Sequence, residues 1–96
     1  MDAKILFHVQ EFEDYTLVEF NLPQGTIEPK DLKTVTVLRI NCKKGVIISG
    51  RGPIWLHSYL AHEYHPCLWV AHYDPRVGAV VVQSHTPDVK MGDIVE

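Results

Sequence analysis

The sequence predicts an α/β domain, a small mixed β-sheet of about five strands with two helices packed on it. Three observations lead there. Short β-branched runs bounded by glycine, proline or acidic residues recur at 15–20, 46–49 and 79–84. Two segments open with proline where a helix would start, at Pro29 and Pro53. The order strand, helix, strand over 46–73 requires a parallel pair joined by a crossover, whereas the turn at 74–78 returns the chain antiparallel.

A chain of 96 residues makes one domain, residues 1–96. That length buries only roughly two-thirds of the surface its unfolded chain exposes, so an oligomer interface is a natural source of further stability. Hydrophobic residues make up 46% and charged residues 22%, which excludes a disordered segment. The net charge of -3 argues against duplex DNA as a partner, yet leaves room for a small anion held by one or two arginines. Cys42 and Cys67 fit no zinc spacing and no disulfide framework, so they read as reduced thiols in a cytoplasmic protein. The stretch Met1 to Gln10 lacks the apolar run of a signal peptide, and no segment approaches the ~20 apolar residues of a membrane span.

Lys4 to Val9 reads as a first strand, followed by an acidic turn over Glu11 to Asp14 and a hairpin partner over Tyr15 to Phe20. Leu22-Pro23-Gln24-Gly25 ends that strand, because proline cannot donate to a ladder and glycine permits the turn. Glu28 to Leu32 starts a helix, kept short by the β-branched Val35-Thr36-Val37. Arg39 to Lys44 is turn-like. Val46 to Ser49 is a continuous apolar strand buried on both faces. After Gly50-Arg51-Gly52 a second helix begins with Pro53 and runs to about Tyr64, stopped near Pro66. Cys67 to Tyr73 and Ala79 to Ser84 are buried strands around the Asp74-Pro75-Arg76-Val77-Gly78 turn, and a last short strand fits Asp93 to Val95.

The chemistry concentrates between Gly45 and His85. A strand feeding a glycine turn and a helix start is an anion site, with backbone N–H groups and the helix dipole aimed at the ligand and Arg51 adding a fork for phosphate. It is neither a P-loop, since no Gly-Lys-Ser/Thr follows, nor a dinucleotide fingerprint, since Trp55 holds the third glycine position. A plain tight turn accounts for the same residues.

Taking His57 as zero on a helix of ~100° per residue, it falls within the apolar stripe of Leu60, Ala61 and Tyr64 and reads as a core histidine. His62 and His65 share a second face at about 140° and 80°. Two histidines at that spacing can share a metal, or one can act as base while the other binds substrate; two solvated histidines are the plain alternative. His85 is the candidate for a third ligand, and His8 and His72 read as structural. Topology puts Gly50 to Gly52 at the same sheet edge as Asp74 and Arg76. It puts His62 and His65 with Gln83 and His85 at the other edge, roughly 20 Å away. One active site using both edges needs two subunits.

The run Gly50-Arg51-Gly52-Pro53-Ile54-Trp55-Leu56-His57, with Leu60-Ala61-His62, Tyr64-His65, Tyr73-Asp74-Pro75-Arg76 and Gly78 to His85, closely resembles the CRISPR-associated Csx-three family, ring nucleases of type III systems. The resemblance implies a Rossmann-like, CARF-like core, and binding and Mn²⁺-dependent cleavage of cyclic tetra-adenylate. It also implies homodimers that stack into tetramers or higher assemblies around the ring. A second activity associated with the family is Mn²⁺-dependent 3′ exonuclease action on short adenylate RNA. Carried over, His65, Asp74 and Arg76 are the expected catalytic set. Ser49, Gly50, Arg51, Gly52 and Arg76 are the expected ligand-binding set, and His62, His65, Asp74 and His85 the expected metal set. The Pro66-Cys67 pair, His72 and the short tail depart from the family pattern. A non-catalytic sensor of the same ring would draw on the same residues.

Overall fold

The computed structural model describes residues 4–95; Met1 to Ala3, part of the stretch read as no signal peptide, and Glu96 lie outside them. Six strands form one mixed sheet: β1 (Leu6–Glu11), β2 (Tyr15–Asn21), β3 (Gly45–Ser49), β4 (Trp69–Asp74), β5 (Gly78–Ser84) and β6 (Ile94–Val95). Their spatial order is the sequence order, β1-β2-β3-β4-β5-β6. The central β2, β3 and β4 run parallel, while β1, β5 and β6 are antiparallel to their neighbours.

The hairpin pairs Leu6 with Asn21 and Glu11 with Thr16, and β4 pairs with β5 from Trp69–Ser84 to Asp74–Gly78, with a bulge after Val70. The short last strand joins the sheet through Ala79–Val95 and Val80–Ile94, making six strands where about five were expected.

Among the described residues there is one α-helix, α1 (Ile54–Glu63), where two helices were expected. The segment at Pro29–Lys33 is a single 3-10 turn, in which the Glu28 N–H donates to Asp31 Oδ2 at 2.8 Å. Beyond it the β-branched residues 35–37 favour extended backbone over continued helix. The chain then runs to Lys44 with Val37, Ile40 and Cys42 packed on the core. Pro53 precedes α1 with extended backbone and caps it without a side-chain bond.

A doubly wound core needs a point where strand order reverses. Sequential order has none, and a single α-helix covers one face, so the structure is a small α+β fold and the Rossmann-like core is not found among the described residues. The face under α1 buries Val18, Phe20, Val46, Ile48 and Val70 against Leu56, Leu60 and Tyr64. The opposite face buries Ile47, Trp69, Ala71, Ala79 and Val81. Thus β3 is buried on both sides, as its unbroken apolar run predicts.

Cys42 and Cys67 form a disulfide, which corrects the reading of both as free thiols. A separation of 25 residues hides their proximity in the sequence. Folding lays the crossover loop beside the α1–β4 turn, where the Leu68 N–H is shared between the carbonyls of Cys42 (3.1 Å) and Lys44 (3.2 Å), and the Tyr64 hydroxyl donates to the Leu38 carbonyl (2.8 Å). The argument from free thiols to a cytoplasmic setting falls with them. Among the described residues no helix is long and apolar enough to cross a membrane.

Candidate functional site

The three parallel strands deliver their carboxyl ends, Asn21, Ser49 and Asp74, to one edge of the sheet, and α1 begins there. A cleft of about 330 Å³ opens at this edge, lined by Ser49, Gly50, Arg51, Tyr73 and Pro75. Arg51 is exposed and makes no ion pair among the described residues. The glycines of the turn have a packing reason. A Cβ at Gly50 would lie 2.5 Å from the Phe20 ring and one at Gly52 3.0 Å from it, so the turn hugs the core on one side and leaves its other side open.

Asp74 and Arg76 stand at the same edge, joined at a turn. The Arg76 backbone N–H donates to Asp74 Oδ1 at 2.9 Å, its Nε to Oδ1 at 3.2 Å and its Nη2 to Oδ2 at 3.1 Å. The Arg76 side chain, through its hydrogen bonds, holds the Asp74 carboxyl below its ordinary range. A carboxylate so stabilised is a weak proton acceptor, so Asp74 is suited to orienting Arg76 rather than to base work.

The opposite edge holds the histidines. The rings of His62 and His65 stack with centroids 5.7 Å apart. His65 Nδ1 lies 3.0 Å from the His62 carbonyl, which can only accept, so Nδ1 carries a proton and Nε2 is the ring nitrogen left to face outward partners. The His65 carbonyl in turn accepts from Gln83 Nε2 at 2.6 Å and from His85 Nε2 at 2.9 Å. Gln83 and His85, from the end of β5 and just beyond, therefore fix the backbone of His65. His85 is left with only Nδ1 free.

The expected residues thus fall into two groups: Ser49, Gly50, Arg51, Gly52, Asp74 and Arg76 at one edge, His62, His65 and His85 at the other. The length of β4, from Trp69 to Asp74, separates them by roughly 17–20 Å. The expected metal set of His62, His65, Asp74 and His85 does not converge in one chain. Among the described residues no group of three or more metal-ligating side chains is placed to hold an ion. The physical reasons are that Asp74 lies at the far end of a strand and is occupied by Arg76, while His85 spends Nε2 on a carbonyl. One chain does not fit Mn²⁺.

His57, on α1, and His72, on β4, meet between the helix and the sheet. The His57 ring meets Phe20 at 5.2 Å and His72 at 5.3 Å, edge to face in both contacts. Burial lowers the pKa of His57, opposed by its hydrogen bond to the Gly50 backbone. Burial and then the neighbouring His57 lower that of His72. His57 is therefore a core histidine with a partner, as its place on α1 predicts. His72 Nδ1 is buried with no protein partner among the described residues.

Tyr73 and Pro75 are the cleft residues that the expected sets omit, and Tyr73 is the one with a side chain suited to a ligand. It is 48% exposed, an unusual state for an aromatic on a central strand. The alternation of β4 was the available signal: it puts Tyr73 on the face away from α1, opposite the small Ala79.

A parallel three-stranded centre closed by antiparallel strands, with a cationic cleft at one edge and a histidine cluster at the other, defines a small α+β domain with two polar ends. The family profile described as CRISPR-associated protein (Cas_csx3) matches residues 20–96, and the chain belongs to that family. It is also similar to an uncharacterized protein of Aquifex aeolicus (strain VF5), 43% identical over 89 residues that span 88% of this chain and 79% of that protein.

Proposed function

We propose that the protein is a ring nuclease that opens cyclic tetra-adenylate, with each active site shared by two chains. The observation that carries this is the division of the polar residues between opposite edges of one sheet. Stacking a second copy in register brings the Asp74–Arg76 edge of one chain to the His65 edge of the next. A homodimer that builds into tetramers or longer assemblies on the ring does this. Membership of a CRISPR-associated family supports the choice of ligand.

The chemistry needs no external water. His65 Nε2 takes the proton of a ribose 2′-hydroxyl as its oxygen attacks the adjacent phosphorus. The bond from phosphorus to the 5′-oxygen breaks, that oxygen leaves as a hydroxyl carrying the proton that the His65 imidazolium gives back, and a 2′,3′-cyclic phosphate remains. Arg76, oriented by Asp74, neutralises the charge on the phosphoryl oxygens. Gly50 to Gly52 with Arg51 hold a neighbouring phosphate. Among the described residues a single chain does not assemble ligands for Mn²⁺, so the ion is a variable of the test.

Labelled cyclic tetra-adenylate is incubated with the protein in Mn²⁺ or EDTA and the products are separated. The wild type yields linear fragments. His65→Ala loses about 10²–10⁴-fold in rate and Arg76→Ala about 10²–10³-fold. An equimolar mixture of the two variants regains activity, because each supplies the edge the other lacks. No conversion by the wild type overturns the reading. Binding without conversion makes the protein a sensor, and trimming of linear adenylate RNA alone makes it an exonuclease.

A further inference from the structure

Arg51 lies between two clefts, and only one of them enters the reading above. On the far side of Arg51, between the loop after β2 and the first turn of α1, a second cleft of about 500 Å³ opens. Its walls include Trp55, Leu22, Ile27, Pro29 and Pro53. Trp55 and the two prolines give it flat or rigid apolar faces, and Trp55 is half-buried, so the cleft can take a planar ring. Its size falls within the range of small-molecule sites, roughly 300–1,000 Å³, and an apolar hollow with a few polar groups at its rim, here Arg51, is the usual composition of such a site. It lies at the edge to which the parallel strands deliver their carboxyl ends, beside the start of α1.

We infer that this Trp55 cleft is a base-binding subsite, taking the purine ring of a nucleotide whose phosphate is held by Arg51. The inference deepens the nucleotide reading and rests on it. Arg51 then serves two nucleotides of one strand: one base lies towards Tyr73 and the next packs against Trp55. Stacking on an aromatic face is tolerant of base identity, so the subsite contributes affinity and the larger, more polarisable purines gain most.

The chain has two tryptophans, and Trp69 is buried on the sheet face away from α1, which makes it an internal control. The full-length protein is titrated with cyclic tetra-adenylate and separately with linear diadenylate. Tryptophan emission is followed alongside anisotropy of a labelled ring. Adenylate quenches the wild type. In Trp55→Phe, where only Trp69 emits, the ring still binds and emission stays flat. Trp55→Ala, checked for fold by circular dichroism, raises Kd roughly 5- to 100-fold. Ring binding without quenching, and with Kd unchanged in both variants, overturns the subsite and leaves the ring nuclease reading standing. Quenching by linear diadenylate without ring binding keeps the subsite and overturns the ring reading. No binding of either ligand overturns both.

Discussion

Individual residues are held by few contacts, and their charge state follows from them. His57 donates to the Gly50 backbone yet is surrounded by Phe20, His72 and the core, so burial outweighs the hydrogen bond and favours the neutral ring. A histidine whose folded pKa is depressed binds protons more readily unfolded than folded. Its contribution to stability is therefore complete above the unfolded value of about 6.5 and is lost as pH falls through it towards the folded pKa. His72, lowered by burial, adds in the same direction. The thermal midpoint is expected to fall between about pH 7.5 and pH 5.5, and His57→Gln is expected to flatten that slope. Equal slopes in both proteins would place the acid sensitivity elsewhere. Asp74 behaves in the opposite sense to a buried acid, since Arg76 stabilises its charge at the surface.

Elements are placed by close approaches. The start of β3 lies flat against the Trp69 indole, so close that a Cβ at Gly45 would overlap the ring. Trp69 is itself only 4% exposed and has little room to yield. Gly45→Ala is expected to destabilise the fold by about 1–3 kcal/mol, read from the midpoint of urea unfolding. An unchanged midpoint would mean that the indole shifts freely. At the other end of β3, Gly50 and Gly52 let the turn close over Phe20, which aims Arg51 outward between two clefts. Helix α1 spans the two edges, carrying Trp55 near its start and His62 near its end.

For the whole molecule the long crossover is the weakest restraint, since the 23 residues 22–44 join β2 to β3 with one 3-10 turn. The Cys42–Cys67 bond ties its end to the α1–β4 turn across a separation of 25 residues. Closing a loop of that length in the unfolded chain is worth about 3 kcal/mol. Dithiothreitol, or Cys42→Ser, is expected to lower stability by about that amount. Alkylation of both cysteines in the native protein before any reductant is added would sink this expectation.

The strands, the central helix and the division of polar residues between two edges were legible in the sequence, because each depends on local pattern. An apolar run of four residues must be buried on both faces, and an antiparallel return fixes which strand ends meet. That the segment after Pro29 is one 3-10 turn was not legible, since helix-start chemistry there competes with β-branched residues whose packing on the core decides the outcome. Pairing of Cys42 with Cys67 and the exposure of Tyr73 were equally hidden. Both depend on residues distant in the chain: the loop that returns beside the α1–β4 turn, and the small Ala79 across from Tyr73. The sequence by itself determined which residue types stand at each strand end. Only the tertiary structure decided that Cys42 meets Cys67, that Tyr73 stands exposed and that Arg51 lies between two clefts, because those placements are set by sheet register, loop path and helix position.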